Sequence, residues 1–351
     1  MNMVTASTVT TSRDVVIAGR RARSRRRTVM TTLIAVVLIA VFAVSLMVGN
    51  TFYSPDDVIR VILGETVPGA SFTVGDLRLP RAVMAVLTGF AFGVAGVTFQ
   101  TMLRNPLASP DIIGISAGAS AAAVWGIVFW SLNEAAVSVV ALVGALVTAF
   151  SIYLLADRRG FAGARLILIG IGVAAMLQSI ISYVLSQAAS WDLQTAMQWL
   201  SGSLNAASWE RLQPMALAFA VLIPLMLVQA RGLAVLRLGD DSAAGLGVNV
   251  RRTRVLLILG AVALLAIATA ASGPIAFVAF MSGPVAARLV GTGGSLLLPA
   301  GLVGSLLVIG ADLIGQFGFD SRYPVGVITG VVGAPYLIYL LIRTNRSGGS
   351  I

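Results

Sequence analysis

Long apolar runs recur along the chain from residue 32 to residue 342, and short segments rich in arginine, glycine and proline separate them. A helix of about twenty apolar residues crosses the roughly 30 Å hydrocarbon core of a bilayer. The alternation of a barrel strand is absent, so we expect helices. The runs predict about ten spans, near residues 32–49, 83–103, 110–130, 136–156, 165–186, 212–230, 254–272, 275–290, 295–315 and 324–342.

The weakest of these predictions is the span at 275–290, which is short and contains Gly283-Pro284. Residues 188–208 are amphipathic and too polar to span, so we expect a short helix at the outer face. The segment 229–254 is the longest polar inner loop, and its short Ala/Leu pattern predicts two small helices on the inner face.

Composition agrees with a membrane protein: 58% of residues are hydrophobic and 11% are charged, against about 25% charged in soluble domains. We therefore predict an all-α polytopic membrane protein with one transmembrane domain over 32–343. The arginine-rich residues 1–31 could be the start of a signal peptide, but the run after them is long and lacks a cleavage site. We interpret 1–31 as a disordered cytoplasmic tail and 344–351 as a second cytoplasmic tail.

Several residue types are missing, and their absence excludes several kinds of chemistry. The chain has no cysteine and no histidine, and all 24 basic residues are arginine. Disulfides, thiolate nucleophiles, the usual zinc sites and a lysine-containing phosphate loop are therefore excluded. We expect no metal or cofactor on this chain, and any ATP and magnesium must be held by a partner ATPase.

Arginine placement predicts the orientation, because cytoplasmic loops collect positive charge. With the amino terminus inside, ten spans leave five arginines outside and the other arginines inside, with both termini cytoplasmic. This distribution also explains the net charge of +10 without nucleic acid as a partner. The five outer positions are Arg60, Arg78, Arg81, Arg211 and Arg322.

Three features do not fit a simple membrane helix. The hinge Arg104-Asn105-Pro106 is irregular backbone near membrane depth, which fits either a structural turn or part of a transport path. Two Gly-Pro pairs in Ser272–Arg288 predict helix breaks. Asp312 lies inside an apolar span, where a buried hydrogen bond between helices is favoured over a coupling role.

The motifs LRLPR, NPLASPDIIGISAGAS, LGDDSAAGLGV, GPIAFVAF and ADLIGQ occur in the order seen in FecCD-type permeases, which this chain resembles over about residues 33–343. These permeases are the membrane subunits of ABC importers for ferric siderophores, haem and cobalamin. The resemblance implies the type II permease fold with ten helices. It also implies a second permease subunit, two cytoplasmic ATPases and an extracytoplasmic binding protein in a bacterial cytoplasmic membrane.

The resemblance also implies roles for particular residues. Arg78 and Arg81 resemble arginines that pair with acids of the binding protein. Asn105, Pro106 and Leu107 resemble a gate near the inner side. The positions that resemble the helix coupling to the ATPase are Gly239, Asp240, Ala243, Leu246 and Gly247.

Two positions depart from the family pattern. The run Pro284-Val285-Ala286-Ala287-Arg288 keeps the Pro and Arg of an inner signature but lacks its His. Gly315 stands where some relatives have a further outer arginine, which Arg322 could replace.

An ion-driven secondary transporter and a membrane enzyme are the alternatives to an importer permease. A ferric siderophore is the favoured cargo, with cobalamin and haem left open.

Overall fold

The computed structural model describes residues 12–111, 113–156 and 163–348, where fourteen α-helices and one π-helical segment form the regular structure. The π segment is Ser71–Arg78 and runs directly into α3. The helices are α1 (Ser12–Met47), α2 (Pro55–Ile62), α3 (Leu79–Met102), α4 (Ile115–Trp130), α5 (Glu134–Ala156), α6 (Gly163–Gln187), α7 (Ser190–Leu200), α8 (Trp209–Val228), α9 (Ala230–Leu236), α10 (Asp240–Gly245), α11 (Val250–Ser272), α12 (Val278–Val290), α13 (Leu297–Phe317) and α14 (Val325–Gly348).

Within these residues, eight helical stretches are long and apolar enough to cross a membrane. They correspond to α1, the π segment with α3, α5, α6, α8, α11, α13 and α14. Two shorter apolar helices, α4 and α12, bring the total to the predicted ten. The predicted all-α polytopic architecture is therefore confirmed. The amphipathic stretch forms α7, and the polar loop before α11 forms α9 and α10, as the sequence predicts.

The amino-terminal segment differs from its prediction. Disorder is predicted over 1–31, but α1 is helical from residue 12 onwards and continues into the first span. The helix is held against the rest of the chain, since Arg26 donates to the Arg288 carbonyl at 3.0 Å and Arg27 donates to the Ser295 carbonyl. Residues 1–11 and 349–351 of the two tails lie outside the described residues.

Helix α3 is the centre of the bundle, and it packs against α11, α12 and α13. Glycine makes these contacts possible. A Cβ at Gly89, Gly93 or Gly96 would overlap a backbone carbonyl oxygen of a neighbouring helix. Without water to drive helix association, close backbone approach of this kind supplies the packing energy. Helix α4 packs against α5 and α6 in a second group.

The two Gly-Pro pairs behave differently. The first, Gly273-Pro274, ends α11, and Gly273 has the positive φ of 70° that favours glycine. The second pair was expected to break a helix, but Pro284 lies inside a continuous α12. Proline removes the N–H that would bond to the carbonyl four residues earlier. The side-chain amide of Gln100 on α3 replaces the missing N–H and donates to the Phe280 carbonyl at 2.9 Å.

Candidate functional site

The two ends of α3 carry different chemistry, and we name them by neighbouring helices. The α7 end is the end of the bundle at which α3 begins, and the α10 end is the end at which α3 finishes. A helix of this length separates them by about 36 Å. Arg78 and Arg81, predicted to be outside, lie at the start of α3, whereas Arg104, predicted to be inside, directly follows its last turn.

At the α7 end, Arg81 is bonded to the intramembrane acid Asp312. Its Nε and Nη2 atoms donate to the two carboxylate oxygens at 2.9 and 2.8 Å. Asn205 accepts from the third nitrogen of Arg81 at 3.0 Å, and Gln316 donates to Asp312 at 2.6 Å. Both charges are thereby compensated where water is scarce. Asp312 thus joins two helices through a buried hydrogen-bonded pair, which is the reading favoured from the sequence.

Arg78 also lies at the α7 end, where it binds backbone oxygens. It donates to the carbonyls of Leu46 and Met47 at 2.8 and 2.9 Å, and to that of Thr51 at 2.7 Å. The last carbonyls of a helix have no partner within the helix, so a guanidinium there both satisfies them and opposes the helix dipole. The Arg78 guanidinium also lies over the Tyr53 ring, 5.0 Å from its centroid. Arg78 therefore caps α1.

At the α10 end, α3 closes in a defined turn. The Asn105 N–H donates to the Gln100 carbonyl at 3.0 Å and the Arg104 N–H to the Thr101 carbonyl at 3.3 Å, which is the Schellman pattern. Arg104 occupies the left-handed position of that motif with φ of 50°, where glycine is usual. The Asn105 side chain then accepts from the Leu107 N–H at 2.9 Å. The hinge predicted from sequence is thus a hydrogen-bonded turn.

The next part of this connection is ordered by Asp111. Its carboxylate accepts from the Ser116 hydroxyl at 2.6 Å and from the Ser109 hydroxyl at 3.3 Å. Burial raises the pKa of the Asp111 carboxyl, and the two hydroxyl donors oppose that rise. The sequence analysis did not select Asp111, although an acid beside two serines at the start of an apolar helix was the available signal.

The segment between α8 and α11 forms a small unit at the same end. Gly239 and Gly247, with φ of 112° and 82°, flank α10 and let the chain turn sharply on both sides. Ala243 is fully buried and anchors the helix, whereas Leu246 is 64% exposed. The short helix α10 is therefore held by a buried alanine and is followed by an exposed apolar side chain.

Asp240 connects this unit to the turn after α3. Its carboxylate accepts from Arg104 at 2.9 Å and from Arg254 of α11 at 3.0 and 2.9 Å. The Asp240 and Arg104 side chains are about half exposed, whereas that of Arg254 is 13% exposed. One carboxylate on α10 therefore links the ends of two membrane spans, α3 and α11. The sequence analysis placed Arg104 in the hinge and Arg254 among the inner arginines, but it did not predict that both bind Asp240.

A cavity of about 380 Å³ opens at the α10 end, beside this turn. Gln100, Asn105, Pro106, Arg237 and Pro284 contribute to its lining. Asn105 and Pro106, two of the three predicted gate residues, thus line the same cavity as Pro284 of the inner signature. Leu107 is not among the lining residues. Arg288 contacts α14 instead, where its guanidinium donates to the Tyr339 hydroxyl and lies 5.0 Å from the ring centroid.

Comparison with known proteins places these features in a family. A sequence profile of the FecCD transport family matches residues 37–343. The ferric enterobactin transport system permease protein FepG of Escherichia coli (strain K12) is 38% identical over 92% of this chain and 98% of its own length. The achromobactin transport system permease protein CbrC of Dickeya dadantii is 38% identical over 95% and 98%.

A solved structure shares the fold. It shows an inward-facing conformation of an ABC transporter described as metal-chelate type, and it superposes with a TM-score of 0.80 at 25% identity. The superposition covers 89% of this chain and 98% of that one. The predicted type II ABC permease fold is confirmed.

Proposed function

Because the chain belongs to the FecCD transport family, we propose that it is the membrane-spanning permease subunit of an ATP-driven importer of ferric siderophores. The observation that carries this proposal is the family match over residues 37–343, together with 38% identity to a ferric enterobactin permease along nearly its whole length. The permease performs no covalent chemistry. It supplies a path whose two ends open alternately.

We assign the α10 end to the cytoplasm of a bacterial cell and the α7 end to the outside. Arginines collect on cytoplasmic loops, and the α10 end holds Arg104, Arg237, Arg254 and Arg288. Both termini are then cytoplasmic. The complete importer would contain a second permease subunit, identical or homologous, two ATPase subunits that bind ATP and magnesium, and an extracytoplasmic binding protein.

The Asp240 contacts suggest how ATP would act on the path. An ATPase that grips the exposed face of α10 would move Asp240, and its ion pairs would carry the motion to Arg104 and Arg254. Arg104 precedes Asn105 and Pro106, which line the cavity at the cytoplasmic end. Movement of α10 would therefore reposition the proposed gate. The coupling is a shift between two conformations, biased by nucleotide and by the loaded binding protein.

The decisive experiment is uptake by the complete complex in proteoliposomes. The ATPases would face the lumen, and the binding protein with a radiolabelled ferric siderophore would be outside. We expect uptake that requires lumenal ATP and magnesium and is abolished by a hydrolysis-deficient ATPase. Uptake that persists without ATP and collapses with an ionophore would instead identify an ion-driven secondary transporter.

A competition experiment in the same uptake assay tests the identity of the substrate. Excess unlabelled siderophore should suppress uptake, whereas cobalamin and haem should not. ATP-dependent uptake of cobalamin or haem, with no siderophore uptake, would support an ATP-driven importer but contradict a siderophore as its substrate.

A further inference from the structure

An apolar groove with a volume of about 670 Å³ lies between three membrane spans, α5, α8 and α11. It is separate from the cavity beside the α3 turn and shares no lining residue with it. Helices α5 and α8 each contribute one regular stripe of side chains, and α11 contributes a broader surface between Val255 and Ala263. The α5 stripe is Leu146, Ala149, Phe150 and Tyr153, and the α8 stripe is Leu222, Leu225, Met226 and Gln229. Both follow the spacing of one helix face.

The groove has a polar end and an apolar end. Tyr153 lies in the last turn of α5, and Gln229 follows directly after α8. The α11 part of the lining begins at Val255, just inside the start of that helix. All three positions belong to the α10 end of the bundle. From there the groove extends about 12 Å towards the bilayer centre, by the rise of α11 from Val255 to Ala263.

Two arginines lie beside the polar end. Arg251 and Arg252 occupy the first turn of α11 and are exposed. Arg251 precedes Val255 by four residues and Arg252 precedes Leu256 by four, so each shares a helix face with a lining residue. Neither guanidinium bonds to another described residue. Nearby Arg254 differs, since Asp240 already binds it.

We propose that this groove binds one acyl chain of an anionic phospholipid, whose phosphate is held by Arg251 and Arg252. The apolar stripes match an acyl chain, and two guanidiniums at the level of the head groups match a phosphate in charge and donor geometry. A helix of another subunit could cover the apolar lining, and the two arginines favour the lipid because its phosphate supplies their counter-charge. The proposal is independent of the transported substrate, and the orientation decides only which leaflet supplies the lipid.

The test is lipid retention by the assembled importer, measured by native mass spectrometry after extraction from mixed vesicles. The vesicles contain phosphatidylglycerol and phosphatidylcholine with identical acyl chains. We expect preferential retention of phosphatidylglycerol, and a decrease of about thirtyfold in the double variant Arg251→Gln/Arg252→Gln, at roughly 1 kcal/mol per arginine. The matched control is Arg20→Gln/Arg21→Gln, which removes two exposed arginines from α1, and its retention should equal that of the wild type.

A photoactivatable residue at position 259 provides a second measurement without large change in the charge. Leu259 lines the groove and is 61% exposed. We expect a lipid adduct at that position, and fewer adducts in the Arg251→Gln/Arg252→Gln background. Equal retention of both lipids, equal loss in the α1 control, or an adduct to a second protein chain in place of lipid would each overturn the proposal.

Discussion

The side-chain amide of Gln100 donates to the Phe280 carbonyl at 2.9 Å, and this oxygen is the one that Pro284 leaves without a partner in α12. Proline inside a membrane helix is tolerated when a neighbouring helix satisfies the freed carbonyl. Gln100 lies on α3 and Pro284 lines the same cavity as the turn that follows it. Helix α12 thus stays continuous through Gly283-Pro284, and the hydrogen bond that replaces the missing one lies beside the proposed gate.

Replacing this amide should destabilise the protein unless the proline is also replaced. We expect Gln100→Leu to cost about 1–3 kcal/mol, because a buried carbonyl loses its hydrogen bond. Adding Pro284→Ala should recover part of the loss, since alanine supplies an N–H to the Phe280 carbonyl. Thermal unfolding of the purified protein measures both effects. Gln178→Leu, an exposed glutamine of α6, is the control and should leave the melting temperature unchanged.

The Arg81–Asp312 pair predicts non-additive stability changes. Asp312 is 8% and Arg81 21% exposed in their side chains, so Asp312→Asn would leave a largely buried charge without its partner, at a cost of about 3 kcal/mol. The double variant Arg81→Gln/Asp312→Asn should be clearly more stable than the sum of the single changes predicts. The exposed Asp320 offers the control Asp320→Asn. Strict additivity would show that the two residues do not act as a pair.

Asp240 and its neighbour Asp241 allow a sharp test of coupling. Asp240 bonds to Arg104 and Arg254, whereas Asp241 bonds to no described side chain. We expect Asp240→Asn to lower siderophore uptake per ATP hydrolysed several-fold. The stability change should stay near 1 kcal/mol, because the carboxylate is half exposed. Asp241→Asn removes the same charge one residue away. Equal losses in the two variants would assign the effect to charge at the ATPase surface and not to the ion pairs.

The sequence predicted the spans well because hydropathy is a local property. The ten apolar runs correspond to helices, and even the short α12 was placed correctly. Pairings between distant residues were not predicted. Arg81 and Asp312 are 231 positions apart, and many arginines compete for fewer acids. The repair of the Pro284 break was missed for the same reason, since a proline in sequence does not reveal a donor on another helix.

The outer docking hypothesis is affected most by these pairings. The family resemblance implies that Arg78 and Arg81 pair with acids of the binding protein. In the structure, however, Arg78 caps α1 and Arg81 neutralises the charge of Asp312. Charge reversal at either position would therefore change stability together with any change in affinity. Arg322 is exposed, and its one hydrogen bond to the described part of the chain goes to Asn50 at 3.2 Å. It is the position where docking can be measured with the least structural disturbance.

We therefore predict that Arg322→Glu weakens binding-protein affinity while leaving the melting temperature unchanged. Rim charges act mainly on association rate and salt dependence, so the loss should be about tenfold at low salt and smaller at physiological salt. Affinity can be measured with the permease in nanodiscs and a labelled binding protein. Arg78→Gln serves as the contrasting variant and should lower the melting temperature, because three carbonyls lose their donor. An unchanged affinity for Arg322→Glu at low salt, with a loss for Arg78→Gln at constant melting temperature, would return the docking role to Arg78.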